Sequence, residues 1–282
     1  MATWYRNTTA HAMAGSLLAC AATVSAVSDR ADRAANAASA DLIDLSLEQL
    51  LDVEVVGASK YAQKQSQVAA AVNVLTRDEI RGFGWRTLAE ALASLPGVHT
   101  TYDRQYSFFG ARGFGLPGDF NTRVLVMVNG NRVNDVTYDQ APIGRDFPLD
   151  LDLVERIEFI PGPGGAVYGQ NAMFGVVNVV TRQGASFDGA RLAVAWQGPQ
   201  RLGEARATWG RKLDNGVDLL LSASRLKARG EDRFVDFGSN GVAGVVRGQD
   251  GERDREFFAR AERDNWSLEF VDGDHRKDIF PN

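Results

Sequence analysis

The spacing of apolar residues changes partway along the chain. From Val68 to about residue 183, short apolar runs alternate with segments of helical spacing; beyond residue 184 a two-residue alternation takes over. In the first stretch Val72, Val74 and Leu75 predict a strand. Thr76-Arg77-Asp78-Glu79 follows as a capping box, whose hydroxyl and carboxylate satisfy orphan amides of a short helix. Thr87-Leu88-Ala89-Glu90 repeats the signal, with Leu88, Ala91, Leu92 and Leu95 at helical spacing before Pro96-Gly97 ends the element. Residues 123–133 predict a hairpin: Val124 to Val128 form a buried strand, and Asn129-Gly130 supplies the positive φ angles of a type I′ turn. Residues 154–160 and 176–181 read as two more strands, separated by the Gly-rich run Pro161 to Gly169. Together these predict a compact α+β domain.

In the second stretch Leu192, Val194 and Trp196 oppose Arg191, Ala193, Ala195 and Gln197. The rhythm recurs at Ala205, Ala207 and Trp209, at Leu219, Leu221 and Ala223, at Phe257, Ala259 and Ala261, and at Trp266, Leu268 and Phe270. Gly198-Pro199, Asp214-Asn215-Gly216 and Asp264-Asn265 are short turns, and residues 230–253 form a longer polar loop. This is the rhythm of an outer-membrane barrel, with Trp196, Trp209 and Trp266 as interface anchors. Periodicity alone leaves a soluble β-sandwich equally open. Roughly five strands fit between Gly189 and Asn282, whereas a closed bacterial barrel needs about eight or more. The expectation is the N-terminal piece of a longer protein, or a truncated product.

The amino terminus adds a compartment. Arg6, the small apolar stretch Ala10 to Val24 and Val24-Ser25-Ala26 have the layout of a secretory signal cleaved after Ala26. Leu17-Leu18-Ala19-Cys20 offers a rival lipobox, with Cys20 lipidated. Residues 28–41 are small and polar, which predicts a flexible leader. Leucines from Leu42 to Leu51 follow, then the acidic-flanked β-type segment Asp52-Val53-Glu54-Val55-Val56-Gly57-Ala58.

Composition mainly excludes. The 282 residues contain one Cys, which rules out a disulfide framework or zinc finger. Against 36 acidic residues stand 31 basic ones, a net charge of −5 with no basic stripe for nucleic acid. Gly113-Phe114-Gly115-Leu116-Pro117-Gly118 fits G-x-G-x-x-G literally, but Pro117 makes it a loop rather than a strand-to-helix turn. His99 and His275 lie far apart and read as exposed loop residues, supporting neither a metal site nor a triad. The acidic pairs Asp150/Asp152 and Glu155/Glu158 read as solvated or ion-paired. No catalytic constellation, resident metal or cofactor is expected.

The ordered motifs resemble one family, the TonB-dependent outer-membrane receptors. Val124 to Gly130 resembles its plug hairpin, and Phe109-Gly110-Ala111-Arg112-Gly113-Phe114 its R-G-F motif. Val154 to Gly169, continued by Asn171 to Thr181, is similar to the plug signature, with Glu158, Gly162, Pro163, Tyr168, Gly169 and Asn178 in matching places. Pro161 stands where the family usually has Arg, and Gly165 where Ser is common; the lost Arg removes an ion-pair partner. The resemblance implies an α+β plug of mixed sheet and short helices, followed by the first antiparallel strands of a transmembrane β-barrel, 22-stranded when complete. It divides the chain into a signal peptide (1–26), a leader with a TonB-box-like segment (27–59), a plug (60–183) and a barrel start (184–282).

The resemblance further implies an outer-membrane transporter, not an enzyme, energised by TonB with ExbB and ExbD. Asp52, Val53, Glu54, Val55, Val56, Gly57 and Ala58 resemble the TonB box, able to add as a strand to a partner's sheet. The alternative is the plug's own first strand. Outward plug loops match Thr100 to Phe108 and Asn134 to Asp146. There Tyr102, Arg104, Gln105, Tyr106, Tyr138, Asp139 and Gln140 are suited to a bulky polar ligand, an iron siderophore first, then cobalamin or another metal chelate, then an oligosaccharide. A soluble secreted β-rich binding module and a non-transporting fragment are the competing readings.

Overall fold

In a computed structural model of the chain, the described residues are 54–55, 63–64, 72–198, 201–236, 238 and 243–278. The signal, lipobox and leader readings fall outside them, as do Asp52, Val53, Val56, Gly57 and Ala58 of the box-like segment. Glu54–Val55 (β1) pairs antiparallel with Gln63–Lys64 (β2).

Asn73–Thr76 (β3) leads into Arg77–Phe83 (α1) through the expected capping box. The Thr76 hydroxyl accepts from the Glu79 amide, and the Glu79 carboxylate accepts from the Thr76 amide at 2.7 Å. Leu88–Ala93 (α2) begins with half of such a box: Thr87 caps the Glu90 amide, but Glu90 reaches one residue further back, to the Arg86 amide at 2.6 Å. Leu88, Ala91 and Leu92 are fully buried; each Leu side chain contributes about 1.5–3 kcal/mol by leaving water.

A hairpin follows that the residue pattern did not reveal. Val98–Tyr102 (β4) pairs with Ser107–Ala111 (β5), so the expected outward loop Thr100 to Phe108 is mostly strand, with a tip at residues 103–106. Ladder bonds satisfy the backbone there, while Phe108 and Phe109 bury their rings. His99 thus lies on a strand rather than in a loop, its ring over the Cα of Gly110.

Val124–Val128 (β6) and Asn131–Arg132 (β7) form the expected hairpin, with φ of 48° at Asn129 and 83° at Gly130. Val154–Pro161 (β8) and Gly175–Thr181 (β9) flank the short helix Gly165–Tyr168 (α3). The sheet order is β3-β8-β9-β6-β7, with β6 and β9 parallel and the other neighbours antiparallel. Leu88 and Leu92 pack in one core with Val126, Ile157, Phe159 and Val179 of this mixed sheet.

Gly189–Gln197 (β10), Leu202–Lys212 (β11) and Asp218–Ala228 (β12) then run antiparallel. The polar loop expected after β12 holds a hairpin of its own, Glu231–Asp236 (β13) with Ala243–Gln249 (β14). Glu252–Arg263 (β15) pairs with β12, and Trp266–Lys277 (β16) with β15. His275 sits within β16 beside Asp254, again on a strand.

The alternation sorts as the sequence implies. Leu192, Val194, Trp196, Leu221, Leu268 and Phe270 are exposed on one face. Thr208, Leu220, Ser222, Asp254 and Phe258 are buried on the other, where Leu220 and Phe258 join the core of the mixed sheet.

Candidate functional site

The inner face of the five-stranded sheet meets the α+β unit through charge. Arg206 of β11, 9% exposed, is clamped by the carboxylates of Asp150 and Asp152, with Glu204 at 3.7 Å. Both aspartates belong to the turn before β8, where Asp150 also caps the Asp152 amide at 2.9 Å. Near the opposite ends of the strands, Glu269 of β16 accepts from Asn129 (2.5 Å) and Asn131 (3.2 Å) of the β6–β7 turn, and Arg260 of β15 donates to Thr181 at 3.1 Å. Asp218 of β12 accepts the amides of Gly184 and Ala185, fixing the passage from β9 to β10. Between the start of α2 and the inner face of β11 and β15 a cavity of about 50 Å³ remains, bordered by Trp85, Thr87, Asp150, Glu204 and Glu256. That volume admits water but no bulky ligand.

The residues expected to meet a ligand fall into two groups. Tyr102, Arg104, Gln105 and Tyr106 cluster on the β4–β5 tip, shaped by the Asp103 carboxylate, which accepts the amides of Gln105 (2.8 Å) and Tyr106 (2.7 Å). The Tyr102 hydroxyl donates to the Arg104 carbonyl at 3.0 Å and meets Lys277 at the end of β16; Arg104 lies 3.6 Å from Asp250. Burial raises the Tyr102 phenol above its ordinary range, against the opposing pull of Lys277. Tyr106 packs edge-on against Phe120. In the second group Tyr138 is 70% exposed, Asp139 is engaged by Arg132 and Gln170, and the Gln140 carbonyl accepts from Asp135 at 2.9 Å.

A residue that sequence reasoning missed relates the two groups. Asn121, nearly buried, accepts from the Phe109 amide (2.7 Å) and donates to the carbonyls of Ser107 (2.8 Å) and Ala141 (3.1 Å). Asn134 works similarly: it accepts from the Val126 amide and donates to the carbonyls of Val124 and Asp139, continuing the β6 ladder with a side chain. Asn171 donates to the Thr122 carbonyl at 2.6 Å. No local pattern marks these residues, because their partners lie up to 49 positions away.

The motif residues are structural. Glu158 is fully buried; Arg156 holds it at 2.8 Å and Asn178 donates to it at 3.2 Å, so a neighbour two positions back on the same strand pairs this carboxylate although position 161 is Pro. Asn178 also accepts the Gly130 amide at 3.0 Å. A Cβ on Gly162 would stand 2.3 Å from the Met173 carbonyl, so only Gly fits beneath the turn closed by Pro163. Arg112 and Gly113 take φ of 54° and 80°, and the Arg112 amide bonds Gly97. Tyr168 and Gly169 close α3.

A mixed-sheet unit is thus docked through polar contacts on an antiparallel sheet whose other face is apolar. Residues 64–176 match the family model described as TonB-dependent Receptor Plug Domain. This segment therefore resembles a TonB-dependent receptor plug, and together with the antiparallel strands that follow it shares the fold of solved receptors. Among curated proteins the chain is similar to a vitamin B12 transporter BtuB of Vibrio vulnificus, 29% identical over 192 residues that cover 65% of this chain and 29% of that protein. It is also similar to the BtuB of Photobacterium profundum, 34% identical over 46% of this chain and 20% of that protein. Among solved structures the siderophore receptor PirA of Acinetobacter baumannii shares the fold, with a TM-score of 0.56 at 18% identity over 79% of this chain and 33% of that one. The chain therefore spans under a third of the length of these curated relatives.

Proposed function

We propose that this chain is the plug and barrel start of an outer-membrane receptor that imports a bulky metal chelate, a corrinoid or a ferric siderophore, with energy from TonB. The observation that carries the reading is the match of residues 64–176 to the plug family, in a unit docked on the polar face of an amphipathic antiparallel sheet. Relatives named as vitamin B12 transporters and a siderophore receptor support the ligand class. Export follows from the signal-like residues 1–26, and barrel insertion from the exposed apolar face of β10 to β16.

The ligand meets the β4–β5 tip and the segment around Tyr138. Tyr102 and Tyr138, 56% and 70% exposed, offer aromatic faces, while Arg104 and Gln105 supply donors. Asp139 and Gln140 position Tyr138 through their contacts with Arg132 and Asp135. Residues 52–58 serve as the TonB box; Glu54 and Val55 already take strand geometry against Gln63 and Lys64, which suits a segment that exchanges one pairing for another.

The test uses cells whose receptor carries these residues, supplied with labelled cobalamin or with a panel of ferric siderophores. Deleting residues 52–58 is expected to abolish uptake of one chelate while its surface binding persists. Uptake that survives the deletion would remove the box assignment, and absence of binding to every chelate would remove the transport reading.

A further inference from the structure

One charged cavity borders the Arg206 clamp but carries basic side chains that the ligand, box and docking contacts above do not use. It measures about 190 Å³ and lies where α1 and the chain leaving β9 face the inner side of β10 and β11. Arg77 and Arg81 of α1, Arg182 after β9 and Arg191 of β10 line it. Arg206 and the Asp152 carboxylate also border it, but these two are paired with each other and Arg206 with Asp150 as well.

Arg182 is 4% exposed. Its guanidinium stacks 3.9 Å from the centre of the Phe187 ring, which Arg191 also flanks at 5.2 Å, and one of its terminal nitrogens donates to the Ser186 carbonyl at 3.3 Å. The carboxylate of Glu155 stands 3.9 Å from its Nε, beyond hydrogen-bond reach, on a half-exposed side chain. The Nε atoms of Arg182 and Arg77 are buried and bond no acceptor among the described residues. Burial, then repulsion from Arg77 and Arg191, lowers Arg182 to about 10, so it remains a cation at neutral pH. Buried charged donors without acceptors are costly, and like charges that converge on one space add to the cost.

We propose that this cavity binds a small multivalent oxyanion of the phosphate class, gripped by Arg77 and Arg182, with Arg81 and Arg191 at its rim. Planar guanidinium forks match tetrahedral oxyanions, which can accept from several donors at once. The volume is many times the roughly 10–15 Å³ that one water needs, room for a phosphate group and part of its hydration. An occupant would tie α1 of the plug to the first barrel strand. A free phosphate and a phosphate monoester share this chemistry, so both serve as probes.

The experiment titrates the full chain, purified in detergent, with inorganic phosphate or glycerol phosphate at ionic strength held constant with chloride, and reads the thermal midpoint. A saturating rise is expected, and Arg182→Gln and Arg77→Gln each weaken the apparent dissociation constant at least tenfold, while Arg201→Gln, in an exposed turn, leaves it unchanged. Arg77→Gln keeps the test readable if Arg182→Gln does not fold. A stronger response to the monoester assigns the esterified source. A non-saturating rise, or one that both cavity variants leave intact, overturns the proposal. So does a response of the isolated chain that vanishes in the receptor carrying it, since protein carboxylates would then be the occupants.

Discussion

Replacing Arg206 by Met tests whether charge holds the plug to the wall. The side chain is 9% exposed and faces Asp150 (15%), Glu204 (14%) and Asp152 (44%). Methionine keeps much of the packing volume but leaves two shielded carboxylates without their cation. Breaking a buried pair in this way costs about 3–5 kcal/mol; the more exposed Asp152 adds about 0–1 kcal/mol. At about 1.4 kcal/mol per decade, the lower bound already shifts the folded-to-unfolded ratio roughly a hundredfold. Guanidinium titration of the chain in detergent, followed by tryptophan fluorescence, should show a lower midpoint, and the plug should become more sensitive to protease. Adding Asp150→Asn and Glu204→Gln should restore most of the loss, because the shielded uncompensated charges disappear. If Arg206→Met matches the parent, or if the triple variant is no more stable than the single one, the electrostatic account of docking is wrong.

Other expectations follow from the same geometry. Asn121→Ala should destabilise the plug by about 1–3 kcal/mol, since it strands the buried Phe109 amide; denaturant midpoints measure it, and Asn121→Asp should fail to restore both carbonyl contacts. Gly162→Ala should cost about 1–3 kcal/mol, because the added Cβ meets the Met173 carbonyl and the turn must shift; an unchanged midpoint would contradict the close approach. Burial raises the Asp146 carboxyl above its ordinary range, although the Gly144 amide favours the charged form. The folded state then holds this proton more tightly than the unfolded one, so stability falls as pH rises from the ordinary carboxyl range through the raised value. Asp146→Asn, which keeps an acceptor for Gly144, should flatten that fall in a pH series of midpoints.

Local signals were legible where their causes are local. The Thr76 box, the Asn129-Gly130 turn and the alternation of β10 to β16 each lie within a dozen residues, and each formed. Glu90 shows the limit: the box residues are present, yet the carboxylate chose the Arg86 amide, because the cap is open to the neighbouring donor. The β4–β5 hairpin escaped notice because exposed His99, Thr101 and Tyr102 face a buried run, Phe108 to Ala111, so neither strand alternates cleanly. Asn121, Asn134 and the four cavity arginines escaped for another reason. Each is an ordinary loop, helix or strand residue until folding brings distant segments to it.

The β6 edge is finished by Val133 and by the Asn134 side chain, whereas β3 lies at the other edge and is held to one neighbour through four residue pairs. That asymmetry has a mechanical meaning. A pull carried along the chain from its amino-terminal side reaches β3 before any other strand of the mixed sheet, and that short ladder with the burial of Leu75 resists it. Strands β8, β9 and β6 behind it have partners on both sides, and the turn before β8 is anchored to the five-stranded sheet through Arg206. Under tension the plug is therefore built to give way one strand at a time, starting at the rim of its sheet, with the docked interior as the last part to yield.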